Sequence, residues 1–128
     1  MKLLLDTHTF IWWDSDPQKL SATVLTQLQS PNNIIFLSVA SIWEMQIKHQ
    51  LGKLPLRLPL TDIIEDQRQN NGIIFLPILS EHVLALDQLP LHHKDPFDRL
   101  LIAQANSQGA ALVSKDHLIA AYPVSLLW

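Results

Sequence analysis

The chain has 128 residues, of which 48% are hydrophobic and 16% charged, and its formal net charge is −3, from 9 Lys and Arg against 12 Asp and Glu. That length suits one domain, residues 1–128, and so much apolar side chain suits a packed core rather than a disordered chain. The acidic balance and the lack of a basic run advertise no nucleic-acid surface, and zero cysteines exclude a disulfide scaffold or a thiolate metal site and fit a reducing compartment.

The chain starts MKLLLD, with a three-residue apolar run that is far too short for a signal peptide. Its longest apolar region, IIFLSVASIW, is broken by two serines and falls short of a membrane span. A cytoplasmic domain with no membrane contact is the expectation. Five short apolar runs read as strands: KLLL (Lys2 to Leu5), NIIFL (Asn33 to Leu37), GIIFLP (Gly72 to Pro77), ALV (Ala111 to Val113) and VSLLW (Val124 to Trp128). Continuous runs, rather than alternation, suit strands covered on both faces.

Helical patterns lie between them. Asp16-Pro17 reads as an N-cap and first-turn pair leading into LSATVLTQLQ. From Val39 to Leu51, the residues Ala40, Trp43, Ile47 and Leu51 form an apolar stripe. Leu60 to Asn70 carries Ile63 and Ile64 on a polar background, Ser80-Glu81 opens HVLALDQL, and Asp95-Pro96 opens FDRLLIAQANSQ. The second and third strands are joined through two helices with the Pro-rich GKLPLRLPL between them. Strands alternating with helices predict an α/β fold, a three-layer α/β/α sandwich around a parallel sheet of about five strands.

In such a sheet, ligands bind beyond the carboxyl ends of the strands. Four of the 12 acids fall toward that edge. Asp6 directly follows the first strand, Asp116 follows the fourth, Asp98 opens the helix that leads into the fourth strand, and Glu44 shares a helix face with Ser41 and Lys48. Each has a plain structural alternative: Asp98 as a first-turn acid behind an Asp95 cap, Glu44 as an i+4 partner of Lys48, Asp6 and Asp116 as turn acids. Taken together they are harder to explain that way. At about 4 Å and an effective dielectric near 20, each like-charged pair costs roughly 4 kcal/mol. A hard divalent cation, Mg²⁺ or Mn²⁺, is the natural counter-charge for an all-oxygen set. The other eight acids, Asp14 and Asp16 among them, have easy solvated roles. The six histidines show no metal-ligand spacing, and His92-His93 are expected to orient the turn before Asp98. The four tryptophans, Trp12, Trp13, Trp43 and Trp128, are expected in the core or an interface.

LLLDTHTFIWW, LSVASIWEMQIKHQLGKL, LPLHHKDPFDRLLIAQA and LVSKDHLIAAYPVSLLW, in that order and over the whole length, resemble the PIN-domain family, and within it the VapC-like toxins of bacterial toxin–antitoxin systems. The resemblance implies an α/β/α sandwich and carries the family's acidic quartet onto Asp6, Glu44, Asp98 and Asp116. Ser114 and Thr7 stand beside the quartet. It also implies a Mg²⁺-dependent endoribonuclease, dimeric and neutralised by a cognate antitoxin. RNA demands positive charge that the composition withholds. Lys48, Lys53, Arg57, Lys94, Arg99 and Lys115 are the candidates for a local rim, with Lys48, Lys53, Arg99 and Lys115 foremost. The rival from another class is a non-catalytic module that keeps the quartet for docking antitoxin or RNA. Receiver and haloacid-type phosphatase readings are weak, because position 8 is His and the third strand ends LPILS.

Overall fold

A computed structural model describes residues 1–92 and 95–128; His93 and Lys94, and whatever roles their sequence suggests, lie outside it. Five strands form one sheet: β1 (Lys2–Leu5), β2 (Ile34–Ser38), β3 (Ile74–Leu76), β4 (Ala111–Val113) and β5 (Leu126–Leu127). All neighbours pair in parallel, in the order β3-β2-β1-β4-β5. β1 is therefore central, with Leu5 level with Leu37 on one side and Val113 on the other.

Alternation along the strands separates two cores. Leu3, Leu5, Ile35, Leu37 and Val113 face an apolar cluster with Phe10, Val24, Leu28, Met45 and Ile63. Leu4 and Leu112 face the opposite cluster with Leu101, Ile102, Ala105, Ile119 and Tyr122. Both faces of the sheet are thus covered, which is why its strands are continuous apolar runs.

Among the described residues, six α-helices make the outer layers: α1 (Thr7–Ser15), α2 (Ala22–Gln29), α3 (Val39–Gln50), α4 (Leu60–Asn71), α5 (Ser80–Leu84) and α6 (Pro96–Gln108). Asp95 caps α6, its Oδ1 accepting from the amides of Phe97 and Asp98, while Gly109 closes the far end at φ 62°, where a side chain would be strained. The short link to β4 and a hydrogen bond from Lys2 Nζ to the Gln108 carbonyl put the end of α6 beside the start of the sheet. The first turn, with Asp98, therefore stands toward the carboxyl edge.

Four expectations are corrected. α1 was absent from the sequence-based elements, because THTFIWWDS has no polar face: Thr7, Thr9 and Phe10 are buried and Ile11, Trp12 and Trp13 half-buried. Asp16-Pro17 opens only a 3₁₀ turn, Pro17–Lys19, and Ser21 caps α2 by accepting from the Val24 amide. α3 buries Ala40, Ser41, Glu44 and Met45, whereas Trp43 and Leu51 of the expected stripe are 58% and 63% exposed. Asp14, expected to be solvated, has a buried carboxylate that accepts two hydrogen bonds from Arg57 and one from Gln67.

Candidate active site

The sheet order places a topological switch between β1 and β4. From β1 the chain proceeds outward to β2 and β3, and β4 and β5 lie on the other side. Connections diverge at such a point and leave a crevice at the carboxyl ends. Asp6 and Asp116 stand there. A cleft of about 350 Å³ is lined by Asp6, His8, Trp12, Lys115 and Asp116.

Each carboxylate is placed by backbone geometry. Asp6 is the N-cap of α1; its Oδ1 accepts from the Thr9 amide at 2.8 Å. Its own amide donates to the Val113 carbonyl at 3.1 Å, and the Thr9 hydroxyl donates to the same oxygen at 3.0 Å, so the end of β1 is tied to the end of β4. Asp116 caps the 3₁₀ turn His117–Ala121, with Oδ1 accepting from the Leu118 amide at 2.9 Å. The buried Ser114 hydroxyl accepts from the Asp116 amide at 3.1 Å and sets the turn that presents it.

Glu44 reaches the same edge from α3, which starts directly after β2 with Ser38 accepting from the Ala40 amide. Thr7, next to Asp6 in the chain, donates from Oγ1 to Glu44 Oε1 at 2.6 Å and is hydrogen-bonded to Ser41 Oγ at 3.0 Å. Lys48 Nζ donates to Glu44 Oε2 at 2.7 Å. Asp6 and Glu44 are thus linked through one threonine, and Glu44 already has a counter-charge. The i+4 pairing of Glu44 with Lys48, the plain alternative for this acid, is therefore formed. Asp98 lies half-buried in the first turn of α6, a helix that packs on α3 and β1, and Phe97 beside it meets Trp43 edge-on at 5.3 Å.

The cations of the expected rim divide. Arg57 is held by Asp14 and Asp66, whose hydrogen bonds, Asp14 first, raise its pKa above that of an ordinary guanidinium. Arg99 donates to the Pro90 and Leu86 carbonyls and to the Tyr122 hydroxyl. Lys48 is on Glu44. Among the described residues, Lys53 and Lys115 make no ion pair. Of the tryptophans, Trp12, Trp13 and Trp128 pack against the α1-side core and Trp43 is exposed.

Among the described residues, no three Asp, Glu or His side chains stand close enough to chelate one ion. The donor set still fits a magnesium ion. Mg²⁺ keeps several waters and binds proteins through one or two carboxylates, and the cleft wall offers two, Asp6 and Asp116, with no sulfur and no imidazole pair to favour a softer metal.

The PIN domain family model matches residues 3–124. Ribonuclease VapC22 of Mycobacterium tuberculosis is 26% identical over 116 residues, covering 89% of this chain and 86% of that protein. Among solved structures, VapBC2 from Rickettsia felis bound to a promoter DNA fragment superposes with a TM-score of 0.76 at 15% identity, covering 99% of this chain and 98% of the other. VapBC-1 from Haemophilus influenzae gives 0.67 at 17% identity, covering 99% and 97%. The parallel five-stranded sheet, the acids along its carboxyl edge and the family match over nearly the whole length agree: the chain belongs to the PIN-domain family.

Proposed function

We propose that this protein is a Mg²⁺-dependent endoribonuclease, the toxin of a toxin–antitoxin pair, acting in the cytoplasm as a homodimer and silenced by a cognate antitoxin. The observation that carries the reading is the pairing of Asp6 and Asp116 across the β1/β4 crevice, with Glu44 tied to the first turn of α1 through Thr7. Ribonuclease VapC22 is named for the activity, and the Rickettsia and Haemophilus proteins are VapBC assemblies, which supports RNA as substrate and an antitoxin as partner. Among the described residues no helix is long and apolar enough to cross a membrane.

A bound Mg²⁺ would supply positive charge for the scissile phosphate and lower the pKa of nearby water. The chain does the placing. Asp6 and Asp116 would hold the ion from two strand ends whose separation is set by the Asp6–Val113 backbone bond. Asp98 adds negative charge from the start of α6, where the helix dipole tolerates it. Glu44, oriented by the Thr7 hydroxyl and the Lys48 ammonium, is a ligand or orients the attacking water. Hydrolysis in this sense leaves a 5′-phosphate and a 3′-hydroxyl.

The experiment is incubation of the purified protein with RNA in Mg²⁺ and in EDTA, beside Asp6→Asn and Asp98→Asn. Asparagine caps helices as well as aspartate does, so Asp6→Asn is expected to fold with a stability within about 0.5 kcal/mol of the wild type. Cleavage is expected only in wild type with Mg²⁺. Equal cleavage by the variants, or in EDTA, removes the site as drawn. The Glu44–Lys48 pair gives some support to the non-catalytic alternative, since it neutralises one acid without metal; RNA or antitoxin binding with no cleavage in any metal would decide for it.

A further inference from the structure

The cleft that contains Asp6 and Asp116 has three further walls, and none of them is acidic: Trp12, His8 and Lys115. Trp12 sits four residues after His8, one turn further along α1, and their rings are 5.9 Å apart. The indole is half-buried. Its inner side packs with the α1-side core, and its edge meets Trp128 at 5.9 Å and 64°. The Lys19 and Lys115 ammonium groups also lie over the ring, each 6.0 Å from its centroid. That distance is at the outer limit of a cation–π contact; Lys19 is also paired with Asp16 at 3.2 Å, whereas exposed Lys115 makes no ion pair among the described residues and is little held over the ring.

We propose that Trp12 is a stacking platform for a nucleobase of the RNA, next to the phosphate that a cation at Asp6 and Asp116 would bind, with Lys115 engaging that strand's backbone. This deepens the ribonuclease reading and rests on it. Single-stranded nucleic acid is gripped by aromatic faces beside positive charge, and each base offers a π-face whatever its identity. A rigid indole already fixed by Trp128 loses little freedom on receiving a base. The acidic net charge of the chain then presents less difficulty, because part of the grip is stacking rather than phosphate neutralisation. Trp12 is accordingly a positioning residue: it sets which phosphate lies over the carboxylates, and a paired base cannot reach it.

The test measures binding apart from cleavage. A short, unstructured, dye-labelled RNA is titrated with the protein in EDTA and in Ca²⁺, and its anisotropy is read. The measurement is repeated with an abasic nucleotide at each position in turn. One or two adjacent positions are expected to lose affinity on the order of tenfold, the loss typical of one stacked base. Trp12→Leu, which keeps the apolar packing, is expected to show the same loss on intact RNA and no further loss at the abasic positions. Trp12→Phe is expected to restore most of the affinity. Equal affinity for every abasic RNA overturns the proposal. So does wild-type binding by a Trp12→Leu variant whose circular dichroism is native, and so does failure to bind RNA in both buffers. The ribonuclease reading fails separately: RNA that stacks on Trp12 but stays uncut in Mg²⁺ removes catalysis and leaves the platform, while Mg²⁺-dependent cutting indifferent to Trp12 does the reverse.

Discussion

Thr7 joins two parts of the site that no short motif places together. Its hydroxyl donates to Glu44 Oε1 and is hydrogen-bonded to Ser41, so a residue beside Asp6 orients a carboxylate from another helix. All three are buried, and a buried acceptor without its donor is costly. Thr7→Val keeps the shape and removes the hydrogen bond. It is expected to lower folding stability by about 1.5–3 kcal/mol, the range for hydrogen bonds to charged groups, and to slow cleavage more than it weakens RNA binding. Urea denaturation with an unchanged slope checks the first part and single-turnover cleavage the second. A variant as stable and as fast as wild type would show that Glu44 is placed by Lys48 alone. Asp6 and Asp116 could be singled out from sequence because each directly follows, or nearly follows, a strand. Glu44 was harder, since its burial depends on which side of α3 meets the sheet.

At the scale of elements, the segment between α3 and α4 is clamped rather than free. Arg57 donates to both oxygens of Asp14 at the end of α1 and to Asp66 on α4, and Gln67 of α4 also donates to Asp14. The Asp14 carboxylate is 5% exposed and Arg57 is 37% exposed, so the pair is shielded on one side only. Loss of the cation strands a buried anion, which costs far more than an exposed pair is worth. Arg57→Ala is expected to destabilise by about 1–2 kcal/mol after allowance for the solvent side, with Arg57→Lys recovering only part, because an ammonium lacks the two-pronged fork. Equal denaturation midpoints for Arg57→Ala and wild type would show the clamp to be idle. Arg57 therefore belongs to the scaffold, although its charge alone had placed it among RNA-contact candidates.

For the whole molecule, charge is largely spent internally. Lys19, Lys48, Arg57 and Arg68 are in ion pairs, and Lys2 and Arg99 are on carbonyl oxygens. Among the described residues, few cations are left for phosphates. The dependence of RNA affinity on salt is expected to be shallow, with a logarithmic slope of magnitude about 2 or less, given roughly 0.7 per phosphate contacted on a single strand. A slope above about 5 would mean that the RNA path follows a basic surface assembled from more than one protomer.

The sequence by itself determined the layers. Continuous apolar runs separated by helical patterns permit only strands covered on both faces, and the β1 and β4 limits, the α6 cap at Asp95 and the carboxyl-edge position of Asp6 and Asp116 follow from local rules of hydrogen bonding and φ/ψ preference. α1 was not legible, because a helix with no polar face has no periodic signal, and α3 was read on the wrong side, because its buried face carries Ser41 and Glu44 while Trp43 faces out. Tertiary structure alone decided those two, along with the Thr7–Glu44 hydrogen bond, the Asp14–Arg57 clamp and the placing of Trp12 at the mouth of the cleft. The physical reason is common to all of them. Each depends on which groups meet across long stretches of chain, where a single polar partner reverses whether a side chain gains by being buried.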